Sequence, residues 1–217
     1  MIYAFIIGHN IDWDAIPSDA YKIGIDHGAF LALEHGIPLD EAVGDWDSCT
    51  AKEREKILTS VLRVTTLNPH KDDTDTMHAY REYCQEKDAK FLLLGSIQGK
   101  RVEHFYANLE LVALDPRVEM IDQNTRIFQV DHDITLPKEE NTFVSFFALG
   151  QGAILSLKGF AYDLDHYHLV PAGPISAISN EFVSPYGEVH LHEGKLLCFL
   201  SKSDAVNVSH AIISQHR

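Results

Sequence analysis

Cysteine is scarce in this chain: three residues in 217, at Cys49, Cys84 and Cys198. They are odd in number and far apart, so they build neither a disulfide framework nor a CxxC zinc pattern, and a reducing, cytoplasmic setting is expected. Long apolar runs are missing too. No stretch reaches the roughly 18 apolar residues of a membrane span. The apolar start, Met1 to Gly8, has no basic flank or cleavage site, so it is expected to be a buried strand and not a signal peptide. Positive charge is short as well: 18 Lys and Arg against 32 Asp and Glu, a net charge of −14. Nucleic acid or an anionic membrane surface requires a basic face that such a chain lacks. A nucleotide is not excluded, because a bound Mg²⁺ brings positive charge locally. There is no internal repeat, no low-complexity tract and no GxxxxGK[ST] phosphate loop.

What is present is an ordinary hydrophobic fraction, 45%, enough for a sizeable core. The acid is unevenly spread: residues 1–137 carry 24 acidic and 13 basic side chains, residues 138–217 eight and five. Functional acidity is therefore expected in the first part.

The texture of the chain changes along its length. Ile2 to Ile7 reads as a strand buried on both faces, as in a parallel sheet. Tyr21 to Ile25, Arg63 to Leu67 and Phe91 to Leu94 are further strands. Phe30 to His35, Ala51 to Val61, Asp73 to Lys87 and a segment ending at Leu114 read as helices. Met77, Tyr80 and Cys84 are expected to form the core stripe of the third helix, and Phe105, Leu109 and Val112 that of the fourth. After Asp115-Pro116 the segments become short, β-branched or aromatic, and separated by turn residues: Val118 to Asp122, Thr125 to Val130, Thr142 to Leu149, Ala153 to Leu157, Tyr167 to Val170 and Val189 to Leu200. That is the pattern of an antiparallel sandwich. The expected fold is an α/β domain with a mostly parallel sheet over residues 1–125, followed by an all-β antiparallel sandwich over residues 126–217.

Several short polar stretches sit where strands end. Asp26-His27-Gly28-Ala29 follows the second strand, in the crevice where open α/β sheets bind ligands, although Asp26 as a plain helix cap explains it equally. Gly44-Asp45-Trp46-Asp47-Ser48 sets two carboxylates two residues apart, which an extended backbone throws to one side. The competing reading has Asp47 or Ser48 capping the next helix. Trp46 is open between a ring-stacking and a core residue. Lys71-Asp72-Asp73-Thr74-Asp75 adds acid at a helix start, with Asp72 and Asp75 three apart, where capping and the helix dipole also favour acid. Hard cations take carboxylate oxygens together with phosphates and water, so two acidic turns meeting at one point would make a Mg²⁺ site of Asp45, Asp47, Asp72 and Asp75. The loop Ser96-Ile97-Gln98-Gly99-Lys100-Arg101 opening a helix is an anion-binding arrangement, and Arg101, His104 and Asn108 line one polar stripe from it. The pairs His166/His168 and His190/His192 have strand spacing. They are read as solvent-facing, because no Cys or carboxylate completes a zinc ligand set.

Taken in order, Asp26-His27-Gly28-Ala29, Gly44-Asp45-Trp46-Asp47-Ser48, Lys71-Asp72-Asp73-Thr74-Asp75, Gly99-Lys100-Arg101-Val102-Glu103-His104 with Asn108, and Ser179-Asn180-Glu181 resemble thiamine pyrophosphokinase of the bacterial type. The set spans most of the chain, with one departure: Glu103 stands where the family usually has aspartate. The resemblance implies an ATP-binding α/β domain, a β-sandwich that helps bind thiamine, and a homodimer with the thiamine pocket between subunits. It implies Mg²⁺-dependent transfer of a pyrophosphoryl group from ATP to the thiamine hydroxyl, releasing AMP. On that reading Asp45, Asp47, Asp72, Asp75, Lys71 and Arg101 carry the chemistry. Asp26, Gly28, Gln98, Gly99, Arg101, His104 and Asn108 bind nucleotide or substrate, and Ser179 and Asn180 meet the thiamine pyrimidine. A metal-dependent nucleotide-sugar transferase using Asp45-Trp46-Asp47, and a non-catalytic thiamine or nucleotide sensor, are the alternatives.

Overall fold

The apolar N-terminal run forms strand β1 (Ile2–Ile6), with Ala4, Phe5 and Ile6 fully buried, and this strand lies at the centre of the first sheet. The computed structural model describes residues 1–69, 72–97 and 101–203, and the chain divides into two units, Met1–Gln129 and a second beginning at Val130.

In the first unit β1 is joined by β2 (Tyr21–Ile25), β3 (Glu41–Gly44), β4 (Val64–Thr66), β5 (Lys90–Leu94), β6 (Val118–Ile121) and β7 (Thr125–Val130). The strand order is β7-β6-β5-β1-β2-β3-β4. All neighbours are parallel except β6 and β7. Among the described residues, α-helices α1 (His27–Glu34), α2 (Ala51–Ser60), α3 (Asp75–Tyr83) and α4 (Val102–Leu114) connect the strands. The order reverses at β1, which has β2 on one side and β5 on the other. In open α/β sheets such a reversal leaves a crevice outside the carboxyl ends of the strands. The parallel strands read as continuous apolar runs because both faces are covered.

The second unit is all β among its described residues, as expected. One of its sheets has the order β12-β9-β14, from β9 (Thr142–Ala148), β12 (Asn180–Glu181) and β14 (Leu196–Lys202); the other has the order β11-β10-β13-β8, from β8 (Ile134–Pro137), β10 (Ala153–Lys158), β11 (Leu164–Leu169) and β13 (Tyr186–Glu193). All pairings are antiparallel. Alternation along β9 buries Val144 and Phe146, and Leu155, Leu157 and Val189 of the other sheet's strands are fully buried. Phe146 packs edge-on against Phe160 at 6.1 Å between ring centroids.

Several local expectations shift. Val189 to Leu200 is two strands in different sheets, because Gly194, at φ +84°, turns the chain between them. The division between units falls after Gln129, with β7 paired to β6. In α3 the buried residues are Thr76, Ala79 and Tyr80, not Met77 and Cys84. Thr74 caps that helix by accepting from the Met77 N–H at 3.1 Å, so it begins at Asp75, two residues later than expected. In α4 the buried face is Asn108, Leu111 and Val112, which rotates Asn108 off the solvent-facing stripe.

Gly28 has a packing reason to be glycine: a Cβ there would lie 2.1 Å from the Ile6 carbonyl oxygen, backbone that cannot step aside. Replacing Gly28 with Ala is expected to destabilise the fold by about 2–3 kcal/mol, an overpacking cost, seen as a lower urea midpoint with an unchanged m-value.

Candidate functional site

Three carboxylates converge where β2 and β3 end. Asp26, Asp45 and Asp47 each offer an oxygen, and these oxygens all lie within 4.8 Å of one another. Asp26 directly follows β2, and Asp45 and Asp47 directly follow β3; the Asp26 N–H donates to the Val43 carbonyl at 2.8 Å, so the two turns are tied together by backbone. Gly44 permits the approach, because a Cβ there would sit 2.9 Å from the Asp26 Cα.

The backbone at this point is unusual. Asp26 has φ +49° and ψ −127°, and it makes no side-chain capping bond into α1. A non-glycine residue held in that region costs of order 1–3 kcal/mol. The helix-cap explanation for Asp26 therefore fails, and its carboxylate is turned elsewhere. Ser48 Oγ donates a hydrogen bond to Asp26 Oδ2, while Oδ1 is buried without a hydrogen-bond partner among the described residues. Asp47 and Ser48 are likewise not spent on capping α2. Thr50 does that, in a capping box with Glu53: the Thr50 N–H donates to Glu53 Oε2 at 2.7 Å and the Glu53 N–H to Thr50 Oγ1 at 3.4 Å.

The segment from Asp45 to Asp47 is not extended. Trp46 has φ +66°, and the Asp47 N–H donates to Asp45 Oδ1 at 3.1 Å. The two carboxylates face one way because the chain turns, not because it alternates. Trp46 is core, 3% exposed, against Ala29, Ala42, Ile57 and Val61.

The electrostatics follow from burial first and from the neighbouring charges after it. Burial pushes the Asp26 carboxyl above the usual range; the Ser48 hydrogen bond opposes this, and the charges of Asp75 and Asp45 add to it. Asp47 is raised by partial burial and then by Asp45 and Asp26, with Arg101 pulling the other way. Cys49, beside the same group, is pushed up to about 11 by burial and then by Asp26, so its thiol is inert near neutral pH.

The remaining candidates fall as follows. Asp75 opens α3 and lies near enough to raise Asp26. Asp72 is exposed ahead of that helix and is not part of the converging group; Asp73 beside it pairs with Arg81. Arg101 is exposed, precedes α4, and holds Glu103 at 2.8 Å, so the glutamate's extra methylene reaches back to the guanidinium. His104 is exposed and Asn108 is buried. Lys71, Gln98 and Gly99 lie outside the described residues. In the second unit, Asn180 is 2% exposed and its amide is taken up by the Tyr162 backbone, accepting from N–H at 2.9 Å and donating to C=O at 2.8 Å. Ser179 is exposed, at φ +55°. His166, His168 and His192 are exposed, and His190 pairs with Asp133 at 3.1 Å; none belongs to a metal-ligating group among the described residues.

Sequence reasoning placed Asp26 with nucleotide or substrate contacts and not with the metal carboxylates. Its position at a strand end beside glycine was the available signal. Thr66, which accepts the Trp46 indole N–H at 3.0 Å, carried no signal.

Known families match both halves of the chain. Residues 13–122 match the family described as thiamin pyrophosphokinase, catalytic domain, and residues 131–196 match thiamin pyrophosphokinase, vitamin B1 binding domain. The chain belongs to the thiamin pyrophosphokinase family. A thiamine pyrophosphokinase of Bacillus subtilis strain 168 is 31% identical over 188 residues, covering 82% of this chain and 86% of its own length. A crystal structure of thiamine pyrophosphokinase from Bacillus subtilis superposes with a TM-score of 0.83 at 26% identity, over 94% of this chain and all of the other. A thiamin pyrophosphokinase family protein from Enterococcus faecalis gives 0.78 at 27% identity, over 93% and 99%. Membership of this family does not favour the sugar-transferase alternative. No helix among the described residues is long and apolar enough to cross a membrane.

The crowded carboxylates predict a measurable cost in the metal-free protein. Asp26 has a folded-state pKa above its unfolded value, so the stability it contributes is present at low pH and lost as pH rises through the folded pKa. Asparagine cannot ionise, tolerates positive φ and can still accept from Ser48. In EDTA at pH 7, Asp26→Asn is expected to raise the melting temperature by about 2–4 °C. The gain should vanish below about pH 4, where the unfolded carboxyl protonates too.

Proposed function

We propose that this chain is a thiamine diphosphokinase, transferring a pyrophosphoryl group from ATP to the thiamine hydroxyl to give thiamine diphosphate and AMP, with Mg²⁺ as its cation. The observation that carries the reading is the convergence of Asp26, Asp45 and Asp47 at the carboxyl edge of a parallel sheet. It stands in a chain whose two halves match the family's catalytic and vitamin-binding domains in order.

The donor set suits a small hard cation. It is all carboxylate oxygen, and one of its oxygens is buried with no hydrogen-bond partner among the described residues. When bound, Mg²⁺ would supply positive charge to the oxygens around the phosphorus under attack. Asp45 and Asp47 would hold it with Asp26, and Asp75 adds negative charge nearby; exposed Asp72 is not needed for the set. Arg101 already acts on Asp47 and would reach a phosphate with two N–H groups. Lys71, Gln98 and Gly99 are proposed for the remaining phosphate contacts. His104 would face the nucleotide. Buried Asn108 and Gly28 would act from behind, setting the backbone against which the nucleotide lies.

Attack at the β-phosphorus needs little covalent help from the protein. The barrier falls mainly through alignment of the hydroxyl, the phosphorus and the leaving oxygen, and through charge stabilisation. One of the site's aspartates would orient the attacking hydroxyl or accept its proton. For thiamine we propose the second unit, with Ser179 offering its hydroxyl and Asn180 fixing the neighbouring backbone through Tyr162. A homodimer with the thiamine site at the subunit interface, in the cytoplasm, completes the proposal.

Incubation of the purified protein with ATP, Mg²⁺ and thiamine is expected to give thiamine diphosphate and AMP in equal amounts by mass spectrometry. Formation of ADP, or no product on thiamine, would overturn the reading. Asp47→Asn is expected to lower kcat by about 10²-fold or more, the scale of losing one charge-stabilising contact, with an unchanged far-UV circular dichroism spectrum.

A further inference from the structure

The residue between the two carboxylates is a large aromatic in a left-handed backbone. Trp46 at φ +66° is a conformation few non-glycine residues adopt and bulky ones adopt least. Something must hold it there, and two contacts do. The ring is buried against Ala29 of α1, Ala42 of β3, and Ile57 and Val61 at the end of α2. Its one polar atom, the indole N–H, donates to Thr66 Oγ1 at 3.0 Å. Thr66 is the last residue of β4 and sits opposite Gly44 in the parallel register; the Leu67 N–H donates to the Gly44 carbonyl at 2.9 Å. The indole therefore links the turn carrying Asp45 and Asp47 to the strand beside it, just past the last paired residue.

Packing alone fixes the depth of a ring, and it leaves the ring able to rock in its plane. A hydrogen bond from the ring edge removes that freedom. In Trp46 the removed motion is the one that would swing the flanking residues, because the side chain and the positive-φ backbone share one Cα. The Asp47 N–H bond to Asp45 Oδ1, at 3.1 Å, is closed across that same Cα.

We propose that Trp46 is a positioning residue for the divalent-cation site. Its hydrogen bond to Thr66 sets the angle of the turn and so the convergence of Asp45 and Asp47 on Asp26. This rests on the metal reading given under Proposed function. Neither Trp46 nor Thr66 touches the cation; both act through the two aspartates.

The test is Mn²⁺ binding to the full chain by calorimetry without nucleotide, alongside thermal melts. Trp46→Phe keeps a ring in the core and removes the donor. Thr66→Val keeps the β-branched shape and removes the acceptor. Each is expected to weaken Mn²⁺ binding about three- to ten-fold, the effect of one ordinary hydrogen bond. The double variant should bind no more weakly than either single one, since both remove the same interaction. Thr66→Ser, which keeps the hydroxyl, should restore wild-type affinity, which a purely structural role does not require. Wild-type Mn²⁺ affinity in both Trp46→Phe and Thr66→Val, with Asp47→Asn still losing it, would overturn the positioning role and leave the metal site standing. Equal Mn²⁺ binding by the wild type and Asp47→Asn would overturn the metal site itself, and this role with it.

Discussion

Like charges held together are the constraint on which this molecule turns. Three carboxylates whose oxygens lie within 4.8 Å of one another repel by about 1 kcal/mol per pair in water-like surroundings, and by several times that where burial lowers the dielectric. No folded chain keeps such a group unless the backbone imposes it. Here the backbone does so twice, through positive φ at Asp26 and again at Trp46. Such repulsion can be relieved by a proton or by a cation; burial first, and the neighbouring carboxylates after it, raise the affinity of Asp26 and Asp47 for a proton.

The parallel sheet explains why this group stands where it does. Placing β1 between β5 and β2 opens the carboxyl edge, and the turns after β2 and β3 both emerge on it. Gly28 lets the start of α1 close onto the backbone at the end of β1, and Gly44 lets the Asp45 turn close onto the backbone of Asp26. Around the aspartates, competing uses of the same residue types have been given to others: Thr50 and Thr74 cap the helices, and Asp73 is paired with Arg81. Helix capping is thus left to threonines, and Asp26, Asp45 and Asp47 stay together at the end of the strands.

Much of this was legible in the sequence. Buried parallel strands are continuous apolar runs, and Ile2 to Ile7 and Phe91 to Leu94 declared themselves. The change of texture after Pro116 announced the antiparallel unit. What periodicity could not fix was phase: Asn108 looked like part of a polar stripe and is buried, and Met77 and Cys84 looked like core while Thr76 and Ala79 fill it. A small or polar residue can occupy a helix's inner face where the space is tight, and hydrophobicity does not register that. The Asp45-Trp46-Asp47 spacing pointed to two carboxylates on one side, but for an extended chain; a left-handed turn at tryptophan is not written in any propensity. Asp26 joins the group by a tertiary contact between two turns, of which its place at a strand end beside glycine was the one local sign.

The account rests on a cation lying among Asp26, Asp45 and Asp47, and anomalous diffraction from crystals soaked in Mn²⁺ and ATP locates it directly. One strong peak is predicted about 2.0–2.3 Å from oxygens of these three side chains. A peak held elsewhere on the protein, or none at this edge of the sheet, would contradict it.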